Sequence, residues 1–182
     1  MGRFSLGLAT ALLLAQPAGA QEQPLFQPGF TEWTLAGGGG FSVDIGPSNP
    51  QVQFLSFTPQ WGRVLRPKLE YVVEGNLSRY FGPGGVLVGV LPVGFRIYTG
   101  GTHFLPYISL GGGLSYTNLN QLEEVDRNVN FLLQLGFGVR WPARERHYWL
   151  IEGRLHHISN AGSAGKNLGI NSAMLVIGYG LG

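Results

Sequence analysis

The chain has 182 residues, 30 glycines and no cysteine, and only 12% of its residues are charged, whereas average domains have about 7% glycine and about 25% charged residues. This length suits one domain, the lack of cysteine excludes disulfides and thiolate metal sites, and a formal net charge of +2 does not favour a nucleic-acid partner. A glycine-rich, charge-poor and aromatic-rich chain without long apolar runs is typical of a membrane β-barrel.

The first twenty residues have the pattern of a secretory signal. Arg3 gives a short basic start, residues 6–15 form an apolar run, and residues 18–20 are small, as they are before a cleavage site. A membrane anchor is the alternative, but this run is too short to cross about 30 Å as a helix. We therefore predict a signal peptide over residues 1–20 and an outer-membrane barrel domain over residues 21–182.

From residue 30 onward, strand-like segments alternate with turn signals that are rich in glycine and proline. The predicted strands cover about residues 30–42, 51–65, 68–80, 86–98, 104–117, 129–140, 147–158 and 170–180. The first strand contains four consecutive glycines at 37–40. They lack the Lys-Ser/Thr pair of a phosphate loop, so we expect close backbone packing or strong curvature there.

The sixth segment has the clearest period of two. One face is apolar, and the other is mostly polar or glycine; the apolar face contains Val129, Phe131, Leu133, Leu135, Phe137 and Val139. Eight such segments predict an all-β fold, an eight-stranded antiparallel transmembrane β-barrel whose apolar face meets lipid. A soluble lipocalin-like barrel would turn the apolar face inward, but glycine and small polar residues on the other face favour a narrow, filled lumen.

An even number of strands leaves both chain ends on the periplasmic side. The connections at 43–50, 82–85, 118–128 and 159–169 then lie outside, and turns at 66–67, 99–102 and 141–146 lie in the periplasm. Mostly longer loops outside and shorter turns inside are the expected asymmetry of such barrels.

A histidine and a serine, His157 and Ser159, stand two residues apart at the end of the seventh strand. Residues i and i+2 of a strand share a face and are about 6.6 Å apart along the backbone. Side chains that lean together across this gap allow His157 to take a proton from Ser159, as in serine-nucleophile catalysis. Asn171 has the outward parity of the eighth strand, so all three side chains are expected to cluster near the outer rim.

The opposite face of the seventh strand carries Glu152, Arg154 and His156. Their parity places them in the lumen, where we expect a polar network that stabilises the barrel.

The run His157-x-Ser159-Asn160-Ala161-Gly162, followed by Asn167-x-Gly169-Ile170, resembles the lipid A 3-O-deacylase family of outer-membrane enzymes. The resemblance implies a bacterial outer-membrane esterase that hydrolyses the ester of the 3-position acyl chain of lipid A. It also implies the roles of the site residues: Ser159 as nucleophile, His157 as general base and then acid, and an oxyanion hole near Gly162 with Asn167 and Asn160.

The implied partners are lipid A of lipopolysaccharide and the surrounding outer-membrane lipid. The implied chemistry needs no metal or cofactor. The oligomeric state stays open, with a homodimer among the alternatives.

One position departs from the family pattern, since Asn171 stands where the family has a glutamate. An asparagine oxygen can accept the Nδ1–H of His157, but it supplies no negative charge to stabilise the imidazolium. Three alternatives follow: a working variant triad, a slow enzyme with another substrate, or an inactive barrel. Acidic residues of the 118–128 loop are candidates to replace the missing carboxylate: Glu123, Glu124 and Asp126.

The competing hypothesis is a non-catalytic eight-stranded barrel that stabilises the envelope or binds lipopolysaccharide. The two hypotheses differ at Ser159, whose hydroxyl is essential to the enzyme and dispensable to the structural protein.

Overall fold

The computed structural model is a closed barrel of eight antiparallel strands, each paired with the next and the eighth paired with the first. This confirms the predicted fold. The structure describes residues 27–45, 51–82, 84–101, 103–119, 122, 124, 125, 127–163 and 168–182. The strands are β1 Thr31–Ser42, β2 Gln53–Arg66, β3 Leu69–Phe81, β4 Gly85–Tyr98, β5 Leu105–Thr117, β6 Val129–Arg144, β7 His147–Ser159 and β8 Ile170–Leu181. The predicted signal peptide lies outside the described residues.

The largest difference from the predicted boundaries is at the end of β6. The sequence predicts a turn over residues 141–146, but β6 continues to Arg144 and pairs with the start of β7, leaving Glu145 and Arg146 as the turn. Pro142 pairs opposite Tyr148, and the register shifts between Pro142 and Arg144. A bulge accommodates proline within a strand pair, which explains why a typical turn signal lies inside a strand.

The glycine patch of β1 lies where the barrel closes. Gly38 pairs with Val176 of β8, and a Cβ atom at Gly38 would collide with the carbonyl of Leu175. Glycine therefore allows the backbones of β1 and β8 to approach closely at the closing seam, as the sequence led us to expect.

The outer face of the barrel is apolar and the lumen is polar. The predicted apolar face of β6 is exposed, with Phe131 at 46% and Leu133 at 50%. Glu32, Glu70 and Arg140 are instead buried in the interior. This arrangement excludes the lipocalin-like alternative and agrees with a barrel whose outer surface contacts lipid. Within the described residues, no helix is long and apolar enough to cross a bilayer.

Two clusters of ion pairs fill much of the lumen. Arg140 contacts Glu32 at 2.6 Å and Glu70 at 3.1 Å. Further along the lumen, Arg154 contacts Glu152 at 2.7 Å and Glu74 at 2.8 Å. The predicted inward positions of Glu152 and Arg154 are confirmed; the two side chains pair with each other along β7, and Arg154 also pairs with Glu74 of β3.

Near the outer end of the barrel, apolar side chains are also buried in the interior. Leu119 and Val125 of the β5–β6 connection are fully buried, and they share one hydrophobic core cluster with Ile158 and Ile170. Ile158 and Ile170 face each other across β7 and β8. Because both point inward, their sequence neighbours at 157, 159 and 171 must point outward.

Candidate active site

The end of β7 and the start of β8 bring His157 and Asn171 together. Their Cα atoms are opposite each other in the antiparallel pair, and His157 Nδ1 lies 2.7 Å from Asn171 Oδ1. Both side chains are partly exposed on the outward face. The shared parity and the antiparallel pairing expected from the sequence therefore produce a direct hydrogen bond at the rim.

The side-chain amide of Asn171 has a second partner. Its Nδ2 donates to the backbone carbonyl of Ile45, just after β1, at 2.5 Å. The amide of Val43 in the same segment donates to the backbone oxygen of Asn171 at 2.9 Å. Nothing in the sequence pattern marked Ile45 as part of this site.

Ser159 is the last residue of β7 and is 8% exposed. Within the described part of the chain, no hydrogen bond joins its hydroxyl to His157. Catalytic hydrogen bonds in substrate-free enzymes are often long or poorly aligned and tighten when substrate binds. The two side chains nevertheless occupy adjacent outward positions on one strand.

Gly169 packs directly against both side chains. A Cβ atom there would lie 2.8 Å from His157 Cε1 and 3.3 Å from Ser159 Cβ, and the backbone has a φ of +70°. The amide of Gly169 also donates to the backbone oxygen of Glu124 at 3.2 Å. Glycine is therefore required both by the left-handed backbone and by the space that the histidine ring occupies.

A tight turn follows Ser159. Asn160 Oδ1 accepts the amide of Gly162 at 2.9 Å, and the backbone oxygen of Asn160 accepts the amide of Ser163 at 3.0 Å. Ala161 has a φ of +51°, and its amide makes no hydrogen bond to any other residue of the described ranges. Of the predicted oxyanion donors, the Gly162 amide is held by the turn in this state, and Asn167 lies outside the described residues.

The 118–128 loop, which carries the acidic candidates, contacts the site through its backbone. Glu124 accepts the Gly169 amide, but its carboxylate forms no ion pair or hydrogen bond with His157 in the described part of the structure. Glu123 and Asp126, the other candidates for the missing acid, lie outside the described residues. The acceptor that the structure gives His157 is Asn171.

An apolar groove runs beside His157 and Asn171 on the outer surface. It has a volume of about 220 Å³, and its outward apolar lining consists of Ile45, Leu133, Leu135 and Leu155. The polar end of this groove is the His157–Asn171 pair. Such a surface suits a flexible hydrocarbon chain held next to a reactive polar group.

The side chain of His156 points into the lumen, away from His157 and Asn171. His156 is buried on the opposite face of β7 and packs against the ring of Phe54 at a centroid distance of 5.6 Å. In the described residues, there is no group of three or more histidine or acidic side chains arranged to hold a metal ion.

Comparisons with known proteins point to one family. The model of the lipid A 3-O-deacylase (PagL) family matches residues 35–180. Similar solved structures include the crystal structure of the outer membrane enzyme PagL, with 19% identity and a TM-score of 0.62 over 83% of this chain and 99% of that chain. A comparison with curated proteins found no match.

Barrels with other names have a similar fold. Neisserial surface protein A is 13% identical with a TM-score of 0.62, covering 83% of this chain and 95% of that chain. The N-terminal barrel domain of OprF from Pseudomonas aeruginosa is 17% identical with a TM-score of 0.53, covering 85% of this chain and 100% of that chain. At these identities the structural likeness shows the fold alone, and the family model carries the further conclusion.

Proposed function

We propose that this chain, which belongs to the lipid A 3-O-deacylase family, is a serine esterase that removes the 3-O-linked acyl chain from lipid A. The chain is a lipid A deacylase-like barrel of the bacterial outer membrane. The observation that supports the finer proposal is the His157–Asn171 hydrogen bond beside Ser159, on an outward surface next to an apolar groove.

In the proposed mechanism, Ser159 Oγ attacks the ester carbonyl while His157 Nε2 takes the hydroxyl proton. The Nδ1–H of His157 stays hydrogen-bonded to Asn171 Oδ1, and this bond orients the ring. The C–O bond to the sugar then breaks, and His157 returns the proton to the leaving sugar oxygen. Water hydrolyses the acyl-enzyme by the same proton transfers, giving a free fatty acid and regenerated serine.

The negative oxygen of the tetrahedral intermediate needs donors close to Ser159. The Ala161 amide, which has no hydrogen-bond partner among the described residues, lies two residues after the nucleophile and is a candidate beside the predicted Gly162 region, Asn160 and Asn167. Donation from the Gly162 amide requires that its bond to Asn160 Oδ1 opens when substrate binds. Loss of one oxyanion donor typically costs about 2.7–4 kcal/mol of transition-state stabilisation.

The position of the site matches the position of its proposed substrate. Lipid A lies in the outer leaflet, and the site lies on the outward surface at the end of β7 that leads into the 159–169 connection. The apolar groove would hold an acyl chain while the ester carbonyl lies at the His157–Ser159 end. Polar side chains on a lipid-facing surface are costly unless they have a function, which favours a role for this cluster.

Asn171 affects the expected rate of the enzyme. In the serine-protease example, replacing the acidic triad member with asparagine lowers kcat about 10⁴-fold through a wrong histidine tautomer. Here the asparagine oxygen faces Nδ1, so His157 keeps its hydrogen on Nδ1 and leaves Nε2 free to act as the base. What the asparagine lacks is the negative charge that would stabilise the imidazolium. We therefore propose a working but slower variant of the triad.

The non-catalytic alternative is favoured by one observation, since the described residues include no hydrogen bond between Ser159 and His157. Mass spectrometry of lipid A from cells that produce this protein distinguishes the two functions. Loss of one 3-hydroxyacyl mass is expected from the esterase. Unchanged lipid A, in cells whose outer membrane contains the folded barrel and whose lipid A carries the 3-O-linked chain, would support the structural function.

Replacing Gly169 with alanine is expected to lower deacylation by about 10- to 100-fold, or about 1.4–2.7 kcal/mol of activation free energy. The added methyl group would press on the His157 ring and on the Ser159 side chain. The barrel is expected to lose about 1–2 kcal/mol of unfolding free energy from the left-handed backbone. Initial rates on purified lipid A in detergent, together with urea unfolding, measure both effects.

Gly84→Ala is the matched control. Gly84 has a φ of +76°, and a Cβ atom there would meet nothing within 4 Å. This variant shares the backbone strain without the collision, so its activity should stay within about twofold of wild type. Equal losses of activity in the two variants would contradict the proposed packing role of Gly169.

A further inference from the structure

The orientation of the Asn171 amide follows from its two partners. A backbone carbonyl can only accept a hydrogen bond, so the amide atom facing Ile45 O must be the NH₂ group. The amide oxygen therefore faces His157 Nδ1, which must carry the hydrogen of that 2.7 Å bond. The unprotonated nitrogen of the neutral ring is then Nε2.

The carbonyl of Ile45 is itself fixed by the backbone. Val43 donates its amide to the backbone oxygen of Asn171 at 2.9 Å, and Ile45 donates its amide to the oxygen of Val43 at 2.9 Å. Residues 43–45 thus form a short segment that is attached to β8 at Asn171. None of the hydrogen bonds that hold this segment uses the Ile45 side chain.

We propose that the segment Val43–Ile45 is a positioning element that sets the tautomer of His157 through the Asn171 amide. In this arrangement the asparagine is the residue that fits. A carboxylate at position 171 has no hydrogen to donate, so its oxygen and the Ile45 carbonyl would face each other as two acceptors. An amide satisfies both sides with one donor and one acceptor.

The proposal explains how a site can lose the acid and keep an oriented base. The family glutamate would hold the histidine by charge, whereas this chain holds it by an amide that a neighbouring loop keeps in one orientation. The catalytic consequence rests on the proposed esterase function, but the tautomer does not. It can be measured on the protein without substrate.

The test uses the full mature barrel in detergent micelles, with ¹⁵N-labelled histidine and NMR detection of the ring nitrogens. The His157 signals are assigned by their loss in His157→Gln. Wild type is expected to show one neutral form of His157, with hydrogen on Nδ1. A mixture of tautomers, or hydrogen on Nε2, would overturn the proposal.

Two substitutions of Ile45 test whether the segment Val43–Ile45 sets the tautomer. Ile45→Ala keeps every backbone hydrogen bond and should leave the Nδ1–H form unchanged. Ile45→Pro removes the amide that Val43 O accepts, which loosens the segment, and should give mixed tautomers of His157. If the proline variant keeps the wild-type ring signals, the loop does not set the tautomer.

Asn171→Leu provides a second variant in case the proline substitution prevents folding. It removes the amide at an outward position of β8 and should also give mixed tautomers; unchanged ring signals would contradict the proposal. Deacylation is assayed in parallel on each folded variant. If wild type has the Nδ1–H form but does not deacylate lipid A, the esterase function is rejected and the positioning element is retained. If wild type deacylates lipid A with mixed tautomers, the esterase function is retained and the positioning element is rejected.

Discussion

Replacing Ser159 with alanine is expected to abolish removal of the 3-O-linked acyl chain, with a fall in rate of about 10⁴- to 10⁶-fold. The hydroxyl oxygen is the proposed nucleophile, and loss of a nucleophilic serine in a comparable enzyme costs about as much as loss of the whole triad. The substitution removes one small oxygen from the last residue of β7 and leaves the strand pairing with Phe131 intact. Barrel stability should therefore change by less than about 1 kcal/mol.

Ser163→Ala is the matched control for this prediction. Ser163 is exposed in the connection that follows β7, and the contact it makes with Asn160 uses its backbone amide. Rates on purified lipid A are measured for wild type and both variants after folding is verified by the heat-dependent shift in gel mobility. Wild-type activity in Ser159→Ala would rule out serine catalysis at this site, and a loss in both variants would point to a disturbed loop.

The fold and the placement of the site could be predicted because both depend on local periodicity. A period of two decides which face each side chain occupies, and it placed His157 and Asn171 on the same outward surface. Antiparallel pairing of two strands joined by one loop then made them neighbours. The same parity placed Glu152 and Arg154 in the lumen, where the structure has them paired with each other.

The contacts that refine the site could not be predicted in this way. Ile45 reaches Asn171 across 126 residues of sequence and through a backbone atom, so no side-chain pattern records the contact. It exists because the barrel closes β1 onto β8. Gly169 was recognisable as part of a motif, but its contact with His157 depends on how the chain returns into β8.

The end of β6 shows how a local signal can mislead. Proline and charged residues near 142–146 are typical of a turn, and the sequence predicts one there. Pairing with β7 extends the strand through Pro142 because a bulge absorbs the irregularity. The tertiary pairing thus outweighs the local preference at this boundary.

Arg140 is the central cation of the ion-pair cluster that it forms with Glu32 and Glu70 in the lumen. Arg140 donates to both oxygens of Glu32, at 2.6 and 3.0 Å, and to Glu70 at 3.1 Å. Its guanidinium also lies 4.0 Å from the ring centre of Tyr148. Arg96, the other cation of this cluster, is more distant, at 3.5 Å from Glu70 and 3.9 Å from Glu32.

Arg140→Met is therefore expected to destabilise the barrel by about 3–5 kcal/mol, because it leaves two buried carboxylates with one distant cation. Urea unfolding of the barrel in lipid vesicles measures the change. Arg144→Met, four residues further along β6 and exposed, should change stability by less than about 0.5 kcal/mol. Adding Glu32→Gln to Arg140→Met should recover part of the loss, because Glu70 is then the one carboxylate of the pair that Arg96 has to compensate. Equal stabilities of the two arginine variants would mean that water or neighbouring polar groups compensate the glutamates, and the ion cluster would then not stabilise the lumen.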